Sequence, residues 1–154
     1  MQITVLSDVL IARGEIDRLF QGEVPVTLWR AMNVKHNQSP MEFVEKGFVM
    51  SNGRPRKADI AITTINGVEW VRIKDRPRGL STFDKPGLPK GRDWEYYKIP
   101  KGTKLPVGLV IVRDEFNENY GATHYTLAPA VDMPLAHFKG LLTQLAISLR
   151  REAV

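Results

Sequence analysis

Apolar residues recur along the chain at two periods, and the switch between them marks the predicted elements. Residues 3–6 read as a short strand leading into a helix that ends near Phe20, with Gly22 as its stop. Val26-Thr27-Leu28-Trp29-Arg30-Ala31 is rich in β-branched and aromatic side chains and predicts a strand, with Pro25 tolerable at its start. Ser39-Pro40-Met41-Glu42 predicts a short helix: Ser39 caps it, Pro40 takes the first helical position, Glu42 completes a capping box and Gly47 ends it. Residues 58–65 and 68–73 flank Asn66-Gly67, a pair suited to a tight hairpin because both turn positions need positive φ. Residues 94–99, 107–113 and 120–128 predict three more strands, with 114–119 as a polar loop between the last two. Asp132 is expected to cap a final helix, in which Leu135, Phe138, Leu141, Leu142, Leu145 and Leu149 line one face. Arg150 and Arg151 would then sit at its C-terminal end, where the helix dipole favours cations. The sum is an α+β chain, dominated by strands, with helices at its two ends. No repeat, low-complexity run or long linker divides residues 1–154, so one domain is expected.

Composition narrows the chemistry. Hydrophobic residues make up 43% and charged residues 25% of the 154, which suits a packed core rather than disorder. Cysteine is absent, which removes disulfides, cysteine-ligated zinc, iron–sulfur clusters and thiol catalysis. His36, His124 and His137 have no metal-ligand spacing, so no metal site is expected. The N-terminus lacks a basic region before its apolar run and Asp8 interrupts that run, so no signal peptide is expected. No apolar stretch approaches the roughly 20 residues of a membrane span. These features predict a soluble, cytoplasmic protein that would reach a target cell, if secreted, without a cleaved signal. The net charge of +5 favours anionic partners. Much of it lies centrally, in Arg54, Arg56, Lys57, Arg72, Lys74, Arg76, Arg78, Lys85, Lys90 and Arg92.

No P-loop, Rossmann fingerprint, kinase set or nucleophile elbow is present, but three segments carry candidate chemistry. Arg30 stands near the end of a hydrophobic strand, where it is either a solvated strand residue or a fixed guanidinium fork for phosphate or ribose oxygens. Gly79-Leu80-Ser81-Thr82-Phe83-Asp84 is either an ordinary strand or a ligand loop. In the second case the glycine allows close approach, the hydroxyls hydrogen-bond, and the Phe83 ring offers a flat face. His124 lies in Ala122-Thr123-His124-Tyr125-Thr126-Leu127, where it is either a hydrogen-bonded core group or a working imidazole. Tyr125 must point to the opposite sheet face.

In this order the segments resemble the ADP-ribosyltransferase superfamily, and more closely the type VI secretion exported effector two family of bacterial toxins. The resemblance is carried by Thr27-Leu28-Trp29-Arg30-Ala31, by residues 79–84, by Ile99-Pro100-Lys101-Gly102-Thr103-Lys104-Leu105-Pro106, and by Ala122 to Ala130 with Met133 beyond. It implies a fold of two packed β-sheets forming an NAD cleft, with flanking helices. It implies Arg30, Ser81 and His124 as catalytic residues, with Arg30 holding the NAD ribose and phosphate and Ser81 the nicotinamide ribose. Gly79 and Thr82 would complete the NAD-binding loop, and Phe83 would lie near the nicotinamide. It implies an ADP-ribosyltransferase or NAD glycohydrolase acting on a protein or nucleic-acid acceptor, with a cognate immunity or antitoxin protein as partner. One departure stands out: most protein-modifying transferases carry a glutamate near the third motif, and here the strand offers His124. Glu115 and Glu118, in the preceding loop, are the candidates to replace it, and the sequence leaves open whether either does. Two other readings stand beside this one. Trp94, Tyr96 and Tyr97 with the central basic cluster would suit an RNA-binding or RNA-modifying module. The missing glutamate would suit a non-catalytic interaction protein on a degenerate transferase fold.

Overall fold

The chain enters its fold through α1 (Leu6–Ala12), in a computed structural model that describes residues 1–154. Leu6 and Leu10, one turn apart, are buried, and Gly14 at φ 71° ends the helix. A single 3-10 turn (Ile16–Arg18) and β1 (Leu19–Phe20) follow. The helix therefore stops well before Phe20, because Leu19 and Phe20 serve as an edge strand. Residues 3–6 form no strand; Val5 alone makes one bridge, to Val131.

Then come β2 (Leu28–Asn33), β3 (Phe48–Val49), β4 (Pro55–Arg56), β5 (Ala61–Ile65), β6 (Val68–Arg72) and β7 (Leu80–Phe83). The chain continues with β8 (Trp94–Ile99), β9 (Leu109–Asn117), β10 (Ala122–Pro129), β11 (Met133–Pro134), α2 (Leu135–Ala146) and β12 (Arg150–Glu152). Asn66 (φ 50°) and Gly67 (φ 76°) make the expected β5–β6 turn. Every strand pair is antiparallel: a seven-stranded sheet in the order β1-β9-β10-β7-β2-β8-β12, a three-stranded sheet β11-β6-β5, and the β3–β4 hairpin.

The large sheet has two differently covered faces. Its inner face places Leu28, Leu80, Ile99, Ile111 and Leu127 in one core with Phe138, Leu142 and Leu145 of α2 and Val71 and Met133 of the small sheet. The Phe138 ring is fully enclosed there, and such burial contributes about 3 kcal/mol. On the outer face, Leu6 and Leu10 of α1 cover Val110, Val112 and Ala128. α1 is short, so the other end of this face carries no helix.

Four expected features take another form, each for a visible reason. Residues 39–47 make turns rather than a helix. The start signals are used locally, since Ser39 Oγ accepts from the Met41 amide at 3.3 Å and the Glu42 carboxylate accepts from the Gln38 amide. Arg30, however, takes the carbonyls of Pro40 and Glu42, which a helix would need for its own ladder. Asp132 does not cap α2, whose N-cap is Pro134. Its fully buried carboxylate accepts from the Thr4 amide (2.9 Å), the Ile73 amide (2.6 Å) and Arg72 Nε (3.0 Å). Arg150 and Arg151 leave the helix to pair with β8 as part of β12. Finally, β9 runs on to Asn117, so Asp114 is a strand residue and not part of a loop.

Candidate active site

The β7–β10 register sets Phe83 opposite His124 and Ser81 opposite Thr126. Paired residues share a face, and alternation does the rest. Leu80, Thr82, Tyr125 and Leu127 turn into the core, whereas Ser81, Phe83, His124 and Thr126 turn outward. Trp29 pairs with Phe83 and so joins the outward group. Lys98, paired with Trp29, holds its Nζ 5.9 Å from the indole centroid. The Phe83 ring meets the His124 ring edge-on at 5.1 Å and the Tyr120 ring at 5.3 Å.

A β-bulge lies at the centre of this group. Thr123 pairs with Phe116 and Tyr125 with Arg113, so Asp114 and Glu115 together oppose His124. A bulge re-aims side chains, and here it separates the two carboxylates. Asp114 Oδ2 lies 2.6 Å from His124 Nδ1 and accepts from Thr126 Oγ1 at 2.6 Å. Glu115 instead pairs with Arg18 at 2.9 Å, and Glu118 is exposed in the turn after β9. The carboxylate beside His124 is therefore Asp114 rather than either glutamate. An ionised carboxylate only accepts, so the Nδ1 facing it carries the proton; in the neutral ring Nε2 is then the free acceptor. The one sequence signal for Asp114 is faint: a polar Arg-Asp-Glu run that continues an apolar strand and reads as a loop.

Arg30 departs from this face. Alternation from Trp29 sends its side chain inward, beside the loop that carries Met41 into the core. Nε donates to the Pro40 carbonyl (2.8 Å), Nη1 to the Ser81 carbonyl (2.9 Å) and Nη2 to the Glu42 carbonyl (3.0 Å). Burial pulls its pKa down to about 10; the Asp59 charge opposes the shift and Arg56 adds to it. Arg30 thus reaches Ser81 through the main chain, with three of its five N–H donors committed. Thr82 is fully buried and donates to the Tyr125 carbonyl at 2.9 Å, so its hydroxyl does not share the outward face. At Gly79 a Cβ would lie 1.8 Å from the Leu127 carbonyl oxygen. The close approach that demands glycine is that of β10 itself. Tyr96 is buried with its hydroxyl on the Pro89 carbonyl at 2.5 Å, and Tyr97 donates to Glu95 at 3.1 Å, so these rings belong to the sheet rather than to an exposed stacking row.

An imidazole braced by a carboxylate, with a serine hydroxyl and aromatic rings on the same sheet face, is the equipment of a group-transfer enzyme. The chain belongs to the Tse2 ADP-ribosyltransferase toxin family, whose sequence model matches residues 9–154. It is 40% identical over 55 residues to Toxin Tse2 of Pseudomonas aeruginosa. That match covers 36% of this chain and 34% of the relative, so the chain aligns with about a third of the length of the relative.

Proposed function

We propose that this chain is a bacterial toxin that uses NAD to transfer ADP-ribose to a macromolecule in the cytoplasm of the intoxicated cell, and that a cognate immunity or antitoxin protein neutralises it. The observation that carries the proposal is the outward grouping of Ser81, Phe83 and the Asp114–His124 pair, in a chain of this family. These residues fit the nicotinamide riboside end of NAD. Ser81 offers a hydrogen bond to a ribose hydroxyl, Phe83 and Trp29 an apolar shelf, and Lys98 a cation for a diphosphate. Bound NAD supplies an ADP-ribosyl group already joined to a good leaving group. His124 accepts the proton of the incoming acceptor through Nε2, the contribution expected of a positioned general base. Ser81 orients the sugar, and Arg30 holds Ser81 in place through its carbonyl.

Purified protein, bacterial lysate and NAD labelled on its adenylate test the proposal. Label should appear on protein or nucleic acid and vanish with Ser81→Ala and His124→Ala. Free nicotinamide without labelled macromolecule would make the chain an NAD glycohydrolase. No NAD turnover would favour the non-catalytic interaction protein. Co-production supplies the cellular arm: wild type should arrest growth, and equal toxicity of both variants would sink the assigned site.

A further inference from the structure

We infer that Asp114 is the positioning residue of this site: it fixes the His124 imidazole in the tautomer whose Nε2 accepts a proton, and Thr126 holds Asp114 to that task. The catalytic consequence rests on the transferase reading above; the tautomer does not.

Three observations carry the inference. The β9 bulge opposes two residues to His124 and turns only Asp114 toward the ring. One oxygen, Oδ2, takes both the imidazole Nδ1 and the Thr126 hydroxyl, each at 2.6 Å, the short range of charge-assisted bonds. Asp114 pairs with no lysine or arginine, although Arg113 and Arg18 are close in sequence or space; they pair with Asp17 and Glu115 instead. The other groups around the ring leave this pairing alone. Phe83 packs against the imidazole edge-on, and Tyr120 packs against Phe83. The Asp84 carboxylate is taken up by the Thr123 amide at 2.8 Å, and Lys85 Nζ lies beside Gly121. Asp114 is thus the one carboxylate bonded to the ring.

The step balances as follows. The acceptor's O–H or N–H proton passes to His124 Nε2 while the acceptor atom bonds to the anomeric carbon of the ribose. The bond from that carbon to the nicotinamide nitrogen breaks, and its electron pair leaves with nicotinamide. The resulting imidazolium keeps its Nδ1–H on Asp114, whose negative charge stabilises it, and later releases the Nε2 proton to water.

Nitrogen-15 imidazole spectra of the full chain test this, with the exposed His36 and His137 as internal comparisons. Wild-type His124 should show the Nδ1–H form, whereas the exposed histidines show mainly the Nε2–H form of free imidazole. In Asp114→Ala, His124 should join the exposed pair, and Thr126→Val should move it part of the way. Asp114→Asn keeps an acceptor oxygen and the shape but removes the charge. Its kcat for nicotinamide release should fall about 10²–10⁴-fold with KM for NAD within about twofold. An unchanged His124 tautomer in Asp114→Ala, or wild-type turnover by Asp114→Asn, would overturn the inference. A wild type that holds the Nδ1–H form, lost in Asp114→Ala, but turns over no NAD would sink the transferase reading and sustain the positioning role.

Discussion

Arg30 Nη1 donates to the Ser81 carbonyl across 2.9 Å, which ties the arginine of β2 to the backbone of the strand that presents the candidate hydroxyl. The other two bonds of the same guanidinium fasten the 40–42 turn. One planar fork therefore sets both the strand bearing Ser81 and the turn packed against it.

Replacing this fork should destabilise the chain. A lysine at the same position supplies a point charge that cannot span three carbonyls. Arg30→Lys and Arg30→Ala should each cost about 1.5–3 kcal/mol, as charge-assisted bonds to the three carbonyls are lost. A fall in the urea midpoint at unchanged slope is the expected result. A wild-type midpoint in Arg30→Lys would show that the fork geometry is unimportant.

Gly79 is expected to tolerate no side chain. An added Cβ meets the Leu127 carbonyl oxygen at 1.8 Å, and backbone cannot swing aside as a side-chain end can. Gly79→Ala should separate β7 from β10 at a cost of about 3 kcal/mol or more, visible in thermal unfolding. The register that sets Ser81 beside Thr126 should loosen with it, so the proposed toxicity should drop even where the variant folds.

The buried Asp132 carboxylate joins the N-terminal segment, β6 and β11. Asp132→Ala leaves Arg72 Nε and the amides of Thr4 and Ile73 without their acceptor. Removing one partner of a buried pair costs about 3–5 kcal/mol. Hydrogen exchange gives the sharper check: amides of residues 4–10 should lose protection first, because α1 is anchored beside this carboxylate. Uniform loss across the whole chain would point to global destabilisation instead.

Alkaline pH should weaken the fold through its phenols. Burial pushes Tyr96, Tyr97 and Tyr125 above the usual 10. For Tyr97 the bond to Glu95 adds to burial, and for Tyr125 the Asp84 charge does so. A folded pKa above the unfolded value means that the folded state holds the proton more tightly. This contribution is complete below pH 10 and lost as pH rises through the folded values. Urea midpoints should therefore decline above about pH 10, together with the rise of the phenolate absorbance band. Phenol ionisation at pH 10 without loss of stability would contradict the burial of these rings.

Local sequence marked several elements well and a few poorly. The β5–β6 hairpin was readable because Asn66 and Gly67 meet a backbone demand within two residues. α2 is readable because four leucines and Phe138 repeat at helical spacing, but Asp132 does not cap it and serves a distant amide and arginine instead. Residues 39–47 form no helix despite a full set of start signals, because Arg30, from the neighbouring strand β2 and outside the segment's own pattern, claims its carbonyls. In the site, Ser81, Phe83 and His124 were legible as motif residues, while Asp114 was hidden in a polar run that resembles a turn.

Taken alone, the sequence determined the central strands β2, β5, β6, β8, β9 and β10 in outline, where the tight hairpin falls and which residues resemble those of a toxin family, since propensity, turn chemistry and motif order are local properties; the short strands β1, β3, β4, β11 and β12 carry no such local signal. Tertiary structure decided which of those residues share a face. Strand register placed His124 with Phe83 and Ser81 with Thr126, turned Thr82 and Arg30 inward, and through one extra residue in β9 brought Asp114 to the imidazole. Register is a relation between segments distant in the chain, and a shift of one residue exchanges every side chain between the two faces of a sheet.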